Sequence, residues 1–263
     1  MPFTTIAWAQ SLDPGGVFTA LATVADQTIA LSGTTAYLVP STYNVLAYAA
    51  AGLETTVAQQ ARLTSPSIRQ RGLFRITPSQ GNAAAASLPG DPHKVSDVRA
   101  QSLALVTGEV LRAEILTDPA AAQIQWVVIG LGDGPIAPVA GSQFTVRATG
   151  ATALVASTWV TVPIVFVDDL PRGRYQLVGL RAQSTNMVAA RVVFVGPQAA
   201  TRPGCLGTNT DRHLEHPMFR YGGLGVWGEF EDVEAPAMEC LANAADAAEI
   251  FYLDLIQIRA GPA

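Results

Sequence analysis

The chain has 263 residues, of which 49% are hydrophobic and only 14% are charged, and its net charge at pH 7 is −5. Ordinary soluble domains carry about 25% charged residues, so this chain has little charge to place on its surface. Neither end carries the basic run of an arm that neutralises packaged nucleic acid. We therefore expect much of the surface to be met by other protein molecules.

Export and membrane insertion are not indicated by the sequence. Residues 1–8 have neither a basic region nor a long apolar core, so we expect no signal peptide. Residues 148–167 form an uncharged stretch of spanning length, but it contains five serine and threonine residues together with Gly150 and Pro163. Such a composition suits two strands better than a lipid-facing helix, and no transmembrane segment is expected.

The first half of the chain predicts strands and two ambiguous segments. Strands are expected over residues 17–25, 28–32, 37–39 and 73–77. Residues 45–51 suit either a strand or a helix, because alanine favours helix and no cap flanks the segment. Residues 96–116 suit either an amphipathic helix or two short strands. Residues 80–93 predict a loop of small residues.

The second half predicts a series of strands separated by glycine and proline turns. They are expected over residues 123–131, 144–147, 153–167, 174–181, 187–195, 224–230 and 249–259. The last strand is largely apolar on both alternating faces, so it should be central and covered on both sides. The connection at 196–223 predicts a long loop, of the kind that is usually functional. Residues 234–248 predict a short helix with Pro236 near its first turn.

Many strands, long Pro/Gly loops and few helices predict an all-β fold, an antiparallel and jelly-roll-like β-sandwich with one or two short helices. The alternating βαβ rhythm of a nucleotide-binding sheet is missing. We expect residues 1–95 to form N-terminal strands and extended loops that pack on the core or on neighbouring molecules. Residues 96–263 should form the sandwich core with its interface loop at 196–223, and the two parts should make a single structural unit.

Strands such as those at 174–181 and 249–259, the sparse charge and the long Pro/Gly loops resemble viral jelly-roll capsid and coat proteins, over about residues 120–260. No motif specific to one capsid family is matched, so no residue role is carried over. The resemblance implies a structural subunit without enzymatic activity or cofactor. It also implies assembly with copies of itself and with other virion proteins, and location in a virion assembled in the host cytoplasm.

The missing basic arm departs from the simple coats that package nucleic acid. It implies that the inner face meets other proteins or a lipid layer, or that something else neutralises the genome. No direct sequence-specific contact with nucleic acid is expected.

Two other functions stay open on the sequence alone. A carbohydrate-active or carbohydrate-binding β-sandwich would need carboxylates and a tryptophan or tyrosine to converge in one groove. A tail-tube, fibre or surface-layer component would also assemble from copies of the chain, but its contacts would not close in the same way as those of a shell.

The candidate interface residues lie in and beside the connection at 196–223. Arginine, methionine and aromatic residues are enriched at the centres of protein interfaces, and this segment combines them. The set consists of Arg202, Arg212, Met218, Phe219, Arg220 and Tyr221.

The remaining polar clusters favour structural interpretations over chemistry. His213 and His216 could meet one metal on a helical turn, but the surrounding prolines and glycines make a helix doubtful, so we expect no metal. Asp168 and Asp169 predict a solvated turn before a Leu-Pro-Arg-Gly sequence. No catalytic residue is assigned.

Glu229 and Glu231 should lie on one face of a strand, as an exposed edge, a cation site or a partner for an arginine. An acid/base pair for glycoside chemistry is the less favoured interpretation. Cys205 and Cys240 are interpreted as two reduced thiols, with a disulfide as the alternative.

Overall fold

The computed structural model describes residues 3–26, 28–53, 59–70, 74–76, 95–101, 103–134, 139–208, 217–220 and 222–261. The chain divides into two compact units, an N-terminal unit of residues 5–135 and a C-terminal unit of residues 136–263 with residues 1–4. The boundary expected from the sequence between residues 95 and 96 falls inside the N-terminal unit.

The described residues of the N-terminal unit form ten short and medium strands. They are β1 (Phe3–Leu12), β2 (Thr19–Ala20), β3 (Ala36–Leu38), β4 (Val45–Leu53), β5 (Gln60–Thr64), β6 (Phe74–Ile76), β7 (Ser96–Asp97), β8 (Leu103–Ala104), β9 (Val110–Leu116) and β10 (Gln123–Gly132). A single-turn helix, α1, covers Pro66–Gln70, and a 3-10 turn covers Arg99–Gln101.

These strands form two sheets with a jelly-roll order. One sheet runs β1-β10-β4-β7, with β8 also on β4, and the other runs β2-β9-β5-β6, with β3 also on β9. Since β2 and β3 share one position, as do β7 and β8, the unit has eight strand positions. Their order is 1-8-3-6 in one sheet and 2-7-4-5 in the other, which is the arrangement of an eight-stranded jelly roll.

The C-terminal unit contains nine described strands and two 3-10 turns. The strands are β11 (Gln143–Gly150), β12 (Trp159–Val162), β13 (Val165–Phe166), β14 (Gly173–Gln183), β15 (Met187–Val193), β16 (Gly204–Thr208), β17 (Gly228–Glu231), β18 (Ala237–Ala242) and β19 (Glu249–Ala260). The 3-10 turns cover Gly196–Ala200 and Pro217–Phe219.

The strand order of the first unit is repeated in the second. One sheet runs β11-β19-β14-β17 and the other β12-β18-β15-β16, with β13 as an additional edge strand on β11. Strands β14 and β16 also pair in parallel over two residue pairs, which links the two sheets. The prediction of an all-β, antiparallel, jelly-roll-like sandwich is confirmed, and the chain holds this arrangement twice.

Alternation along the strands explains how each sandwich fills its interior. In β9, Leu111, Ala113 and Ile115 are fully buried, whereas the intervening Arg112 and Glu114 are half-buried on the opposite face. Such alternation is typical of a strand with one solvated face. Strand β19 lies between β11 and β14 and is buried over most of its length, so the prediction of a central last strand is confirmed.

The helix expected over residues 234–248 is wrong, because Ala237–Ala242 is strand β18. This strand pairs with β12 and β15, which turns the fully buried Met238 and Cys240 toward the interior. Pairing with distant segments outweighs the weak helix preference of alanine. For the same reason residues 45–51 form part of β4, and the segment 96–116 contains β7, β8 and β9 rather than an amphipathic helix.

The connection 196–223 is not a loop throughout, since β16 lies within it and takes the fifth strand position. Its glycines allow close approach of the neighbouring strand β15. A Cβ atom added at Gly207 would lie 2.7 Å from the backbone oxygen of Met187. Gly204 and Gly207, which belong to strand β16, are therefore packing positions within a sheet.

The two cysteines lie on the two strands that neighbour β15, and both are opposite the same residue of it. Ala190 is the cross-strand neighbour of Cys205 in β16 and of Cys240 in β18. The thiols are therefore two strand spacings apart, about 9–10 Å, which exceeds the span of a disulfide. Both are free and buried, as the favoured interpretation predicted. Burial raises the pKa of the Cys240 thiol, and the nearby Glu249 carboxylate adds to this effect.

Substituting Gly130 with alanine tests the packing between β10 and β4. A Cβ atom at this position would lie 2.1 Å from Cε1 of Tyr48, whose ring is fully buried and whose hydroxyl is hydrogen-bonded to Thr5. We expect Gly130→Ala to lower the free energy of unfolding by about 1–3 kcal/mol, measured by urea denaturation. The same change in a Tyr48→Ala background should cost much less, and an equal loss in both backgrounds would contradict this packing.

Candidate assembly surface

Two of the candidate interface residues are packed inside the C-terminal unit. Met218 and Phe219 are only 2% and 3% exposed. Their segment lies against β14, because the amide of Gly222 donates a hydrogen bond to the carbonyl of Val178 at 2.8 Å. Arg220 follows them and is half-buried.

Arg202 is also fixed by its own unit. Its side chain is 8% exposed and donates hydrogen bonds to the carbonyls of Ala199 and Thr201, and its Nε lies 3.5 Å from Oε2 of Glu239. Arg212 and Tyr221, the remaining members of the set, lie outside the described residues. The interface role of all six residues stays a prediction.

A buried charged cluster that the sequence analysis missed lies on the β12-β18-β15 sheet. Arg191 is 2% exposed, its Nε lies 2.6 Å from Oε2 of Glu239, and its Cζ lies 4.1 Å from the centre of the Trp159 ring. The partners are far apart in sequence and meet only through strand order, so no sequence motif signals the cluster. Since breaking a buried pair leaves an uncompensated charge, loss of either partner would destabilise this sheet.

The two carboxylates of β17 have arginine partners in the same chain. Glu229 lies 2.7 Å from the guanidinium of Arg174, and Glu231 lies 2.8 Å from that of Arg259. Both glutamates are half-buried on one face, whereas Phe230 is buried on the other, as predicted. Of the alternatives left open, the pairing with an arginine is the one observed.

The other candidate acidic pair lies in an exposed turn. Asp168 accepts a hydrogen bond from the amide of Arg147 at 2.6 Å, and Asp169 follows it in the same turn. This arrangement fits the solvated turn that the sequence analysis favoured.

No aromatic platform for a sugar is formed by the four tryptophans. Trp8, Trp126 and Trp227 are at most 1% exposed, and the half-buried Trp159 stacks against Arg191. A carbohydrate site of the stacking type would need an exposed ring beside carboxylates. The tryptophans serve as anchors of the interior.

In the parts of the chain that the structure describes, no three His, Cys, Asp or Glu side chains come together in a metal-binding group. His213 and His216 lie outside those parts. No helix in the described ranges is long and apolar enough to cross a membrane.

Several large apolar side chains are exposed at turns, strand ends and sheet edges. Val165 and Val167 flank Phe166 on the edge strand β13 and are 69% and 54% exposed, and Val233 at a turn is 87% exposed. The others are Val17, Leu31, Val106, Val155, Val195 and Ile258. Isolated exposed apolar residues are common on protein surfaces.

A buried carboxyl group lies at the start of β19. Glu249 is 1% exposed, its Oε2 accepts a hydrogen bond from the amide of Thr152 at 3.3 Å, and its Oε1 has no hydrogen-bond partner. Burial raises the pKa of this carboxyl above its ordinary value, and the charge of Asp246 adds to the increase. Ionising this carboxyl therefore costs more free energy than it does in water.

Comparison with known proteins finds neither a matching family model nor a matching curated protein. Solved structures similar to the chain include two viral major capsid proteins. The one from bacteriophage PM2 has a TM-score of 0.25 and 10% identity over 97% of both chains, and the STIV protein has 0.22 and 9% over 98% of both. A Paenibacillus xanthan lyase has a TM-score of 0.23 and 12% identity over 98% of this chain and 27% of the lyase. With such low TM-scores, these likenesses decide neither the fold nor the function.

Replacing Glu249 with glutamine tests the buried carboxyl. A carboxyl whose pKa is raised in the folded state stabilises the protein below its unfolded pKa, about 4.3, and this contribution is lost as the pH rises through the folded value. Relative to the unchanged chain, Glu249→Gln should therefore gain stability as the pH rises from about 4 to about 8. Denaturant unfolding across this range measures the difference, and a constant or oppositely changing difference would contradict the assignment.

Proposed function

We propose that the chain is a structural subunit of a virion capsid, which assembles with copies of itself and has no enzymatic activity. The observation that carries the proposal is the repetition of the jelly-roll strand order within one chain of sparse charge. Jelly rolls are a recurrent fold of viral capsid domains, and they also occur in lectins and cupins. The buried tryptophans and the ion-paired carboxylates of the C-terminal unit favour the capsid role over the carbohydrate alternative.

The physical basis of assembly is the shortage of surface charge. Only 14% of residues are charged, and several of these are internal, among them Arg191, Arg202, Glu249 and Asp254. The outside of each sandwich is therefore poorer in charge than the composition suggests, while valines are exposed at its edges. Contact with other copies would remove this surface from water.

The location and partners that follow belong to the same proposal. The subunit would reside in a virion assembled in the host cytoplasm, in contact with other virion proteins. Its inner face would meet protein or a lipid layer, without sequence-specific reading of nucleic acid, because the net charge of −5 does not favour contact with phosphates. The connection 196–223 would contribute to the interface through its exposed residues, while the buried Met218 and Phe219 anchor it to its own unit.

The mass of the purified chain, measured by light scattering together with negative-stain imaging, tests the proposal. We expect multi-copy species and closed shells or their ring-shaped building blocks. A stable monomer at all accessible concentrations would contradict the proposed function. Open tubes or fibres would instead support the tail-tube, fibre or surface-layer alternative, which shares self-association but not closure.

A further inference from the structure

The N-terminal unit carries a row of charged side chains on the outer face of its second sheet. Arg62 of β5 is the cross-strand neighbour of Glu114 in β9 and of Arg75 in β6. The residues on either side of Arg62, Ala61 and Leu63, are buried, so the row points away from the interior. The half-buried Arg112 lies two residues from Glu114 on the same face.

An aromatic ring completes this surface, which we name the arginine patch (Phe18, Arg62, Arg75 and Arg112). The guanidinium carbons of Arg62 and Arg75 lie 3.9 and 5.0 Å from the centre of the Phe18 ring. The neighbouring Val17 is 61% exposed. The apolar ring of Phe18 is therefore flanked by the guanidinium groups of Arg62 and Arg75.

Among the described residues, one of the three arginines of the arginine patch has an ionic partner. Glu114 lies 2.6 Å from the guanidinium of Arg62. Among the described residues, Arg75 donates a hydrogen bond to the amide oxygen of Gln60, at 3.5 Å, and lies over the Phe18 ring, and neither Arg75 nor Arg112 has an ionic partner. Like charges directly opposite each other on neighbouring strands are destabilising. An anionic partner bound beside Arg62 and Arg75 would offset this repulsion.

The C-terminal unit carries a surface of opposite character, the acidic turn (residues 231–234), which joins β17 to β18. At 87%, Val233 is the most exposed large hydrophobic side chain that the structure describes. Asp232 and the exposed Glu234 flank it, and Glu231 precedes them. Glu231 is paired with Arg259, and Asp232 accepts a hydrogen bond from the amide of Gly173, so the acidic turn presents the apolar tip of Val233 beside the exposed carboxylate of Glu234.

From this complementarity we propose that the acidic turn of one copy docks on the arginine patch of a second copy. Val233 packs against Phe18 and Val17, while the carboxylate of Glu234 pairs with the guanidinium groups of Arg75 and Arg112. Planar guanidinium groups suit carboxylates, because two parallel hydrogen bonds can form. The inference rests on the proposed function and names one contact within it.

The contact has a geometrical consequence for assembly. The two surfaces differ, so the contact is heterologous and joins the C-terminal unit of one copy to the N-terminal unit of the next. Heterologous contacts propagate from copy to copy and close into a ring when the rotation allows it. Assembly through this contact should weaken with rising salt, because exposed charge pairs are screened.

An exchange of charges tests the contact in the full chain. Arg75→Glu and Glu234→Arg, each alone, should raise the concentration for half-assembly at least about ten-fold, because each places like charges across the contact. The two changes in one chain should restore assembly to within about three-fold of the unmodified chain, since the charges are exchanged but complementary. Sedimentation velocity measures assembly, and circular dichroism verifies that each variant is folded.

Matched controls reverse exposed charges elsewhere in the same units. Arg69→Glu and Asp169→Arg should leave assembly unchanged. Arg75→Gln and Glu234→Gln repeat the test in smaller steps if a reversal unfolds the chain.

The outcomes separate this contact from the proposed function. If the unmodified chain is monomeric, the proposed function fails and the contact with it. If the chain assembles but neither reversal weakens assembly, or the exchange does not restore it, the contact is overturned while the proposed function stands. Weakening by Arg75→Glu alone would mean that the arginine patch meets another anion, such as a phosphate-bearing polymer or lipid, and would also overturn the proposal.

Discussion

Pairing of the last strand of each unit with the first and third strands is the constraint on which the structure depends. Strand β10 lies between β1 and β4, and β19 lies between β11 and β14. The last strand of each sandwich therefore pairs with strands that come about a hundred residues earlier in the chain. Such contacts are costly in chain entropy and slow to form. Without the last strand, the first and third would each expose an unpaired edge to other chains.

The closed sandwiches also explain where the few charges of the chain are found. Asp254 on β19 is fully buried, accepts a hydrogen bond from Thr145 at 2.5 Å and lies 3.6 Å from the guanidinium of Arg181. Arg191 and Glu239 form a second internal pair. Charged side chains that are paired inside the sheets do not contribute to the surface. The surface therefore has short apolar edges and local groups of side chains with the same sign of charge. A chain of this kind is suited to contacts with copies of itself.

The sequence predicted the class of fold but not its repetition. Alternating and β-branched segments predicted most strands of the C-terminal unit, including the central position of β19, because period-two patterns follow directly from strand geometry. The order of the strands could not be predicted from the sequence, since it depends on pairings between distant segments such as β4 and β10. Residues 237–242 were interpreted as helix because alanine has a local helix preference, which sheet pairing overrides.

The candidate site was harder to predict than the fold. Methionine and aromatic residues are typical both of the centre of an interface and of a protein interior, so composition alone did not show that Met218 and Phe219 are buried within their own unit. The Arg191 and Glu239 pair, the arginine patch and its Phe18 ring are formed by residues on different strands, and they became visible only with the register. The carboxylates of the acidic turn are close together in the sequence, but the exposure of Val233 was not predicted from it.

An electron cryomicroscopy map of the assembled form tests the central claim most directly. The account predicts two eight-stranded jelly rolls in every subunit, and more than about 1,000 Å² of surface buried by each subunit against its neighbours. Those contacts should cover exposed valines and the few charged patches. Small, wet contacts between subunits, or subunits that hold a single jelly roll, would contradict it.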